Sequence, residues 1–345
     1  MTERDRIAAV LRAIDRLARV TEPQALSDGL SAPMASLGLE ISCGLIGRAG
    51  LEGLLRAKGV APETALVVAA RGVFTAPLEW AAGLAAYGST VLLKAPTEAP
   101  AFCEALGECF RAEGLSVEVR VGHDLPDVDA VVAMGSDRAI AAVASRYPTV
   151  PSSLHGHRFS VALVGSAADA SALAQDVVLY DGRGCFTPCG VFVLGGPEAA
   201  EAVGVRLAGA LALAEERWPR GDFAPEYGPI WRERLALGRA TGRVFGGEEW
   251  AVTVGPLSTF EPSALPRWVS VHAVPDVGAL LETLAPWSAH RAACGTDQSP
   301  STVRTLEVGG FERVCAIGEL QRPPFGRPHG GTPFLKGLLS PVGAP

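Results

Sequence analysis

The sequence predicts an α/β protein built from two parallel-sheet domains. Short, uninterrupted apolar runs alternate with Ala/Leu-rich helical segments. The alternation stops at a Pro/Ser/His-containing stretch, 148–157 (PTVPSSLHGH), and then restarts. The core material is aliphatic, with 48% hydrophobic residues and only 6% aromatic ones. Strands that are apolar throughout are those covered by helices on both faces, which is the habit of parallel sheets. A length of 345 residues suits about two domains. The boundaries fall at 1–150 and 151–310, with a return segment at 311–345.

Element by element, Ile7, Val10, Leu11, Ile14 and Leu17 recur at helical spacing and predict an amphipathic N-terminal helix. Residues 22–50 carry Gly, Ser and Pro punctuation and read as an irregular connection. Strands are expected at 65–70 (ALVVAA), 90–93 (TVLL), 116–121 and 128–133, with helices at 77–87, 100–113 and 137–146 between or after them. Gly88 and Gly114 close the first two helices, as glycine does at a helix C-terminus. Beyond the break, strands are expected at 160–164, 190–194, 250–254, 268–274 and 314–317, and helices at 168–179, 198–217 and 277–284.

Composition excludes several functions. Thirty basic residues against 37 acidic ones give a net charge of −7, and no Lys/Arg run marks a nucleic-acid surface. The longest apolar region, 65–93, is interrupted by Arg71 and Glu79, so no integral membrane contact is expected. Residues 1–6 are charged and lead directly into the first helix, unlike a signal peptide. The seven cysteines are an odd number with no C-x-x-C pair, which favours a reducing, cytoplasmic setting.

Tyr180–Val193 (YDGRGCFTPCGVFV) is the sharpest local feature. Cys185 lies in a Gly/Arg turn between a helix and a buried strand, a place that serves either a thiolate favoured by Arg183 and backbone N–H groups or an inert small apolar side chain. Cys189, at the strand start, reads as core, and Asp181 as a turn former. Gly135 and Ser136 open the helix at 137–146, a position that serves either as a phosphate site or as a plain N-cap. Lys94 ends the TVLL strand, where a cation suits a nucleotide as well as solvent. His155 and His157 could supply a proton donor, but no third residue completes a metal site. His329 stands in a Pro/Gly-rich tail as an acid or a turn cap. Neither a G-x-G-x-x-G fingerprint nor a P-loop is present.

Taken in order, VLLKAPTEAP (91–100), VVAMGS (131–136), HGHRFSVALV (155–164) and GRGCFTP (182–188) resemble the aldehyde dehydrogenase superfamily. The segment FERVCAIGELQRPPFGRPHGGTPFLKGLL (311–339) is similar to its acyl-CoA reductase branch, related to the bioluminescence fatty-acid reductase. The resemblance covers most of 65–339. It implies two α/β domains with the active site in the cleft between them, the first of which binds the nucleotide. It implies Cys185 as the nucleophile, with His157 and His329 as further catalytic groups. Lys94, Gly135 and Ser136 become the cofactor-binding residues, for NADPH or NADH. The implied substrate is acyl-CoA or an acyl carrier thioester, reduced to an aldehyde through a cysteine thioester. A homo-oligomer is compatible with the superfamily's habits.

Departures from the pattern accompany it. Gly72 stands where the family carries an oxyanion-binding Asn, and His329-Gly330-Gly331 lacks the family's acidic residue. Residues 151–160 contain no carboxylate to act as a base on water, a loss that fits a reductase, which must not hydrolyse its acyl-enzyme. The chain is also short for this branch. These departures keep open a non-catalytic subunit that binds an acyl group or a partner.

Overall fold

Each of two units is organised by one sheet. The structure, a computed structural model, describes residues 1–56, 59–263, 265–329 and 332–340. One unit contains residues 1–28, 35–157 and 322–345, and the other 29–34 and 158–321.

The first unit begins with helices α1 (Glu3–Ala18), α2 (Pro23–Leu26), α3 (Ala32–Gly44) and α4 (Arg48–Leu55). Then follow β1 (Thr64–Val68), α5 (Pro77–Tyr87), β2 (Thr90–Lys94), α6 (Ala101–Ala112), β3 (Val117–Arg120), β4 (Ala130–Met134), α7 (Asp137–Arg146) and β5 (Ser152–His155). The sheet is parallel throughout, in the order β3-β2-β1-β4-β5. Ile7, Val10, Ile14 and Leu17 of α1 are buried, as their spacing predicts. A capping box between Thr2 and Asp5 starts that helix. The three central residues of β1 and of β2 are buried, which is what a strand covered on both faces requires.

The second unit holds β6 (Phe159–Val164), α8 (Ala170–Val178), β7 (Pro188–Leu194), α9 (Pro197–Arg217), α10 (Tyr227–Thr241), β8 (Arg243–Gly246) and β9 (Ala251–Val254). It continues with β10 (Trp268–Val274), α11 (Val277–Thr283), β11 (Arg291–Thr296), α12 (Pro300–Val308) and β12 (Arg313–Ala316). Strand order is β12-β11-β6-β7-β10-β9-β8. All pairings are parallel except that of the edge strand β8 with β9. Phe159, Val161, Leu163, Phe192, Val274 and Leu280 belong to one buried cluster. Burying each such side chain stabilises the fold by about 1.5–3 kcal/mol.

Two expectations are corrected, and the strand β11 was not expected at all. Residues 22–50 are not irregular: α3 and α4 occupy most of them, and Met34, Ala35, Leu39, Ile41 and Cys43 are buried. Their apolar residues lie nearly all round α3, which blurs the helical period. The stretch at 148–157 contains β5, whose polar residues pair with β4 at the sheet edge. An edge strand needs no apolar run, so the unit extends to His157 instead of ending at 150. The strand β11 (RAACGT) is wholly buried yet made of small residues, and its sequence carries no β-branched signal until Thr296. Among the described residues, no helix is long and apolar enough to cross a membrane.

Candidate active site

Cys185 sits just ahead of β7, at the end of a backbone reversal. After α8 the chain makes a short 3-10 turn, Leu179–Gly182, in which Tyr180, Asp181 and Gly182 take φ of 54°, 55° and 72°. Left-handed backbone at a non-glycine residue costs about 1–3 kcal/mol and needs surrounding support. That support comes from Arg267, which is itself at φ 49°. Its Nε and Nη2 lie 2.9 and 2.7 Å from Asp181 Oδ1, and both side chains are fully buried. The Arg267 backbone N–H donates to the Asp181 carbonyl at 3.2 Å. A Cβ on Gly182 would stand 2.8 Å from that same nitrogen, so the turn requires glycine here.

The loop then closes on itself. The Arg183 N–H donates to the Tyr180 carbonyl at 3.1 Å, and the Thr187 N–H to the Gly184 carbonyl at 3.0 Å. Cys185 is exposed between these two bonds. Its carbonyl accepts from Ser160 Oγ at 2.8 Å. Thr187 Oγ1 accepts from Gln321 Nε2 at 2.6 Å, and the same amide reaches the Asp176 carbonyl at 3.2 Å. The Asp176 carboxylate accepts the N–H groups of Gly318 and Leu320 at 2.6 and 3.0 Å. Burial nevertheless pushes its pKa up to about 7.

Burial also separates Cys185 from the other thiols. It pushes Cys43 and Cys103 up to about 12, Cys189 and Cys315 up to about 11, and Cys109 and Cys294 upward as well. A thiol so displaced is almost entirely protonated at neutral pH and is a poor nucleophile. The sequence assigned Arg183 to Cys185. In the structure its Nη2 donates to the Asp222 carbonyl at 3.0 Å and lies 3.7 Å from Asp181 Oδ2, so its charge also serves the turn.

In the first unit, Lys94 ends β2, and Gly135 and Ser136 follow β4. All three therefore lie on the C-terminal edge of the same parallel sheet. Strand order reverses between β1 and β4, the position where open α/β sheets take ligands. Ser136 Oγ caps α7 by accepting from the Ala139 N–H at 3.3 Å. Asp137 Oδ1 accepts the His157 N–H at 2.8 Å. Lys94 Nζ donates to the Ala95 carbonyl at 3.1 Å. Arg71, beside Gly72 and beyond β1, pairs with Asp28 at 2.7 Å and with Glu98. Gly72 does not take a positive φ.

His155, His157 and His329 also belong to the first unit. His157 is exposed at its end. His155 Nε2 is 2.9 Å from Ser153 Oγ, and its ring stands 5.2 Å from that of His329. His329 packs on Trp80 at 4.6 Å, and its Nε2 is 3.5 Å from Glu79 Oε1. Arg327 pairs with the same carboxylate at 2.9 Å. Burial pushes the Glu79 carboxyl up, but Arg327 and the contacts with His329 outweigh it and leave its pKa at about 2. Gly330 and Gly331, which follow His329, lie outside the described residues. Among the described residues, no group of three His, Cys, Asp or Glu side chains could hold a metal ion.

The sequence pattern of the acyl-CoA reductase (LuxC) family matches residues 122–340. The chain belongs to this family. The matched span holds Gly135, Ser136, His157, Cys185 and His329, whereas Lys94 precedes it. No curated protein is close enough to count as a match. Solved structures share the fold. A γ-glutamyl-γ-aminobutyraldehyde dehydrogenase from Burkholderia cenocepacia J2315 aligns at a TM-score of 0.71 and 16% identity, covering 92% of this chain and 76% of its own. An aldehyde dehydrogenase from Pseudomonas aeruginosa aligns at 0.73 and 14%, covering 92% and 77%. One from Bacillus cereus, solved with NAD+, aligns at 0.74 and 15%, covering 92% and 76%. The aldehyde dehydrogenase architecture of two α/β sheets expected from the motifs is therefore the observed one.

The expected reaction is corrected. These structures belong to dehydrogenases of aldehydes, not to reductases of acyl thioesters. The physical reason for the error lies in the motifs themselves. A cysteine nucleophile and a nucleotide edge serve either direction of hydride flow, so neither one encodes it.

The sequence did not single out Ser160, Arg267, Asp176 or Gln321. A lone Ser at a strand start and a lone Arg before a strand carry no signal of their own. Their partners lie 25 residues or more away in the chain.

Proposed function

We propose that this chain is an NAD(P)-dependent oxidoreductase that oxidises an aldehyde through a covalent adduct on Cys185. The observation that carries this reading is the Cys185 loop: an exposed thiol, in a chain whose other cysteines are suppressed by burial, held on a supported left-handed turn. The donor set at the edge of the five-stranded sheet fits a dinucleotide. Lys94 offers a cation for a ribose or its 2′-phosphate, and the start of α7 at Ser136 offers backbone N–H groups for phosphate. When bound, the nicotinamide supplies the hydride acceptor.

The rest is done by the chain. The Cys185 thiolate adds to the carbonyl carbon, forming a C–S bond and moving the π pair to oxygen as an oxyanion. Collapse of that oxyanion re-forms C=O as hydride departs, leaving a thioester on Cys185. Water then cleaves the C–S bond, releasing a carboxylate and the thiol. Residues 151–160 offer no carboxylate as base for that water. General-base catalysis is worth about 10²–10⁴-fold, so the second half is the slow one.

The test is a rapid-mixing assay with NAD+ or NADP+ and a series of aldehydes. Reduced nucleotide should appear in a burst of about one equivalent, as acyl-enzyme accumulation produces, followed by slow turnover. Cys185→Ser should abolish both phases. No burst and no turnover with any aldehyde would refute the reading.

A further inference from the structure

Ser160 is fully buried at the start of β6, where two neighbouring strand ladders lose register. On one side, pairing with β7 shifts between Ser160 and Val161, opposite Pro188, a residue with no N–H to donate. On the other, pairing with β11 shifts between Arg291 and Cys294, so Ala293 falls within the irregularity. The Ser160 hydroxyl bridges both breaks. It accepts the Ala293 N–H at 3.0 Å and lies 2.8 Å from the Cys185 carbonyl. A hydroxyl has one proton. Ala293 can only donate and the Cys185 carbonyl can only accept, so the proton points to Cys185 and the direction of the network is set. A side chain thus spans both register shifts and ties the loop to β6, an interior strand of the sheet.

From this geometry we propose that Ser160 is a positioning residue for Cys185. Its hydroxyl fixes the Cys185 carbonyl and with it the plane of the Cys185–Phe186 peptide, because a trans peptide is rigid. With that plane fixed, the peptide dipoles of the Gly184–Thr187 turn hold one orientation about the thiol and favour its ionised form. The proposal rests on Cys185 being the nucleophile, and it adds a residue that never touches substrate.

The test reads the thiol itself and needs no turnover, so it stands apart from the aldehyde assay. The rate of Cys185 alkylation by iodoacetamide is followed from pH 5 to 10 by peptide mass mapping, alongside thermal unfolding. Ser160→Ala should slow alkylation at pH 7 by about threefold to tenfold, the size of one neutral hydrogen bond, and leave the plateau at pH 10 unchanged. Ser160→Thr, which keeps a hydroxyl, should restore the wild-type profile. A purely structural role would lower the melting temperature without displacing the rate–pH curve of the folded protein. A folded Ser160→Ala protein whose curve overlays the wild type overturns the proposal, as does a Ser160→Thr curve that keeps the Ala displacement. Should Ser160→Ala not fold, Ser160→Cys keeps the volume with a much weaker donor, and its Cys185 curve is judged by the same two outcomes.

Discussion

Asp181 and Arg267 form a fully buried ion pair at 2.7 Å, and both residues hold positive φ, 55° and 49°. The pair is where two strained turns meet: one leads to Cys185, the other into β10. Glu215 pairs with the same guanidinium, and the Gly221 N–H donates to Asp181 Oδ2 at 3.1 Å. Desolvating two charges is expensive, and only such a set of partners offsets it.

Removing one partner leaves the other charge buried. Asp181→Ala is expected to destabilise the protein by about 3–5 kcal/mol, the usual cost of breaking a buried pair from one side. Urea unfolding measures it. A loss below about 1 kcal/mol, typical of surface pairs, would show that Glu215 alone meets the Arg267 charge and that Asp181 is not needed for it.

Gly182→Ala tests the same turn without touching a charge. Its φ of 72° and the 2.8 Å approach of the Arg267 nitrogen both oppose a Cβ. The expected loss is about 1–3 kcal/mol, with slower alkylation of Cys185. An unchanged midpoint in chemical denaturation would contradict the left-handed turn.

Asp176 makes stability depend on pH. Its folded pKa is raised from 3.8 to about 7, so the folded state binds a proton that the unfolded chain has released. This contribution is fully present below about pH 3.8 and is lost as pH rises to 7. Asp176→Asn keeps an acceptor for only one of the Gly318 and Leu320 N–H groups and sets its NH2 against the other, so it should lower the melting temperature but flatten its dependence on pH across that window. Parallel wild-type and mutant curves between pH 4 and 8 would exclude this role.

Glu79 acts in the opposite sense. Its folded pKa lies at about 2 against 4.5 unfolded, so its stabilisation is complete above 4.5 and disappears as pH falls towards 2. The anchored segment is the C-terminal one, through Arg327 and His329. Glu79→Gln should cost about 1.5–3 kcal/mol at pH 7, the range for hydrogen bonds to charged groups. It should also expose the segment after Gln321 to limited proteolysis. Equal cleavage rates in mutant and wild type would argue against the anchor.

Local pattern alone determined much of the fold. Continuous apolar runs marked β1, β2, β4 and β6, because a strand covered on both faces has no polar side to hide. Gly88 and Gly114 marked helix ends because only glycine takes left-handed backbone freely, and both have φ near 100° or 80°. The Gly/Arg turn and the place before a strand drew attention to Cys185, which the structure leaves exposed. The family followed from motifs in order. What carries that cysteine was decided by tertiary structure: Arg267 lies 86 residues from Asp181, and Ser160 lies 25 residues from Cys185. A buried arginine and a surface arginine are the same letter. Only packing removes water from one of them, and with the water gone its charge must be met by a partner that chain distance does not reveal.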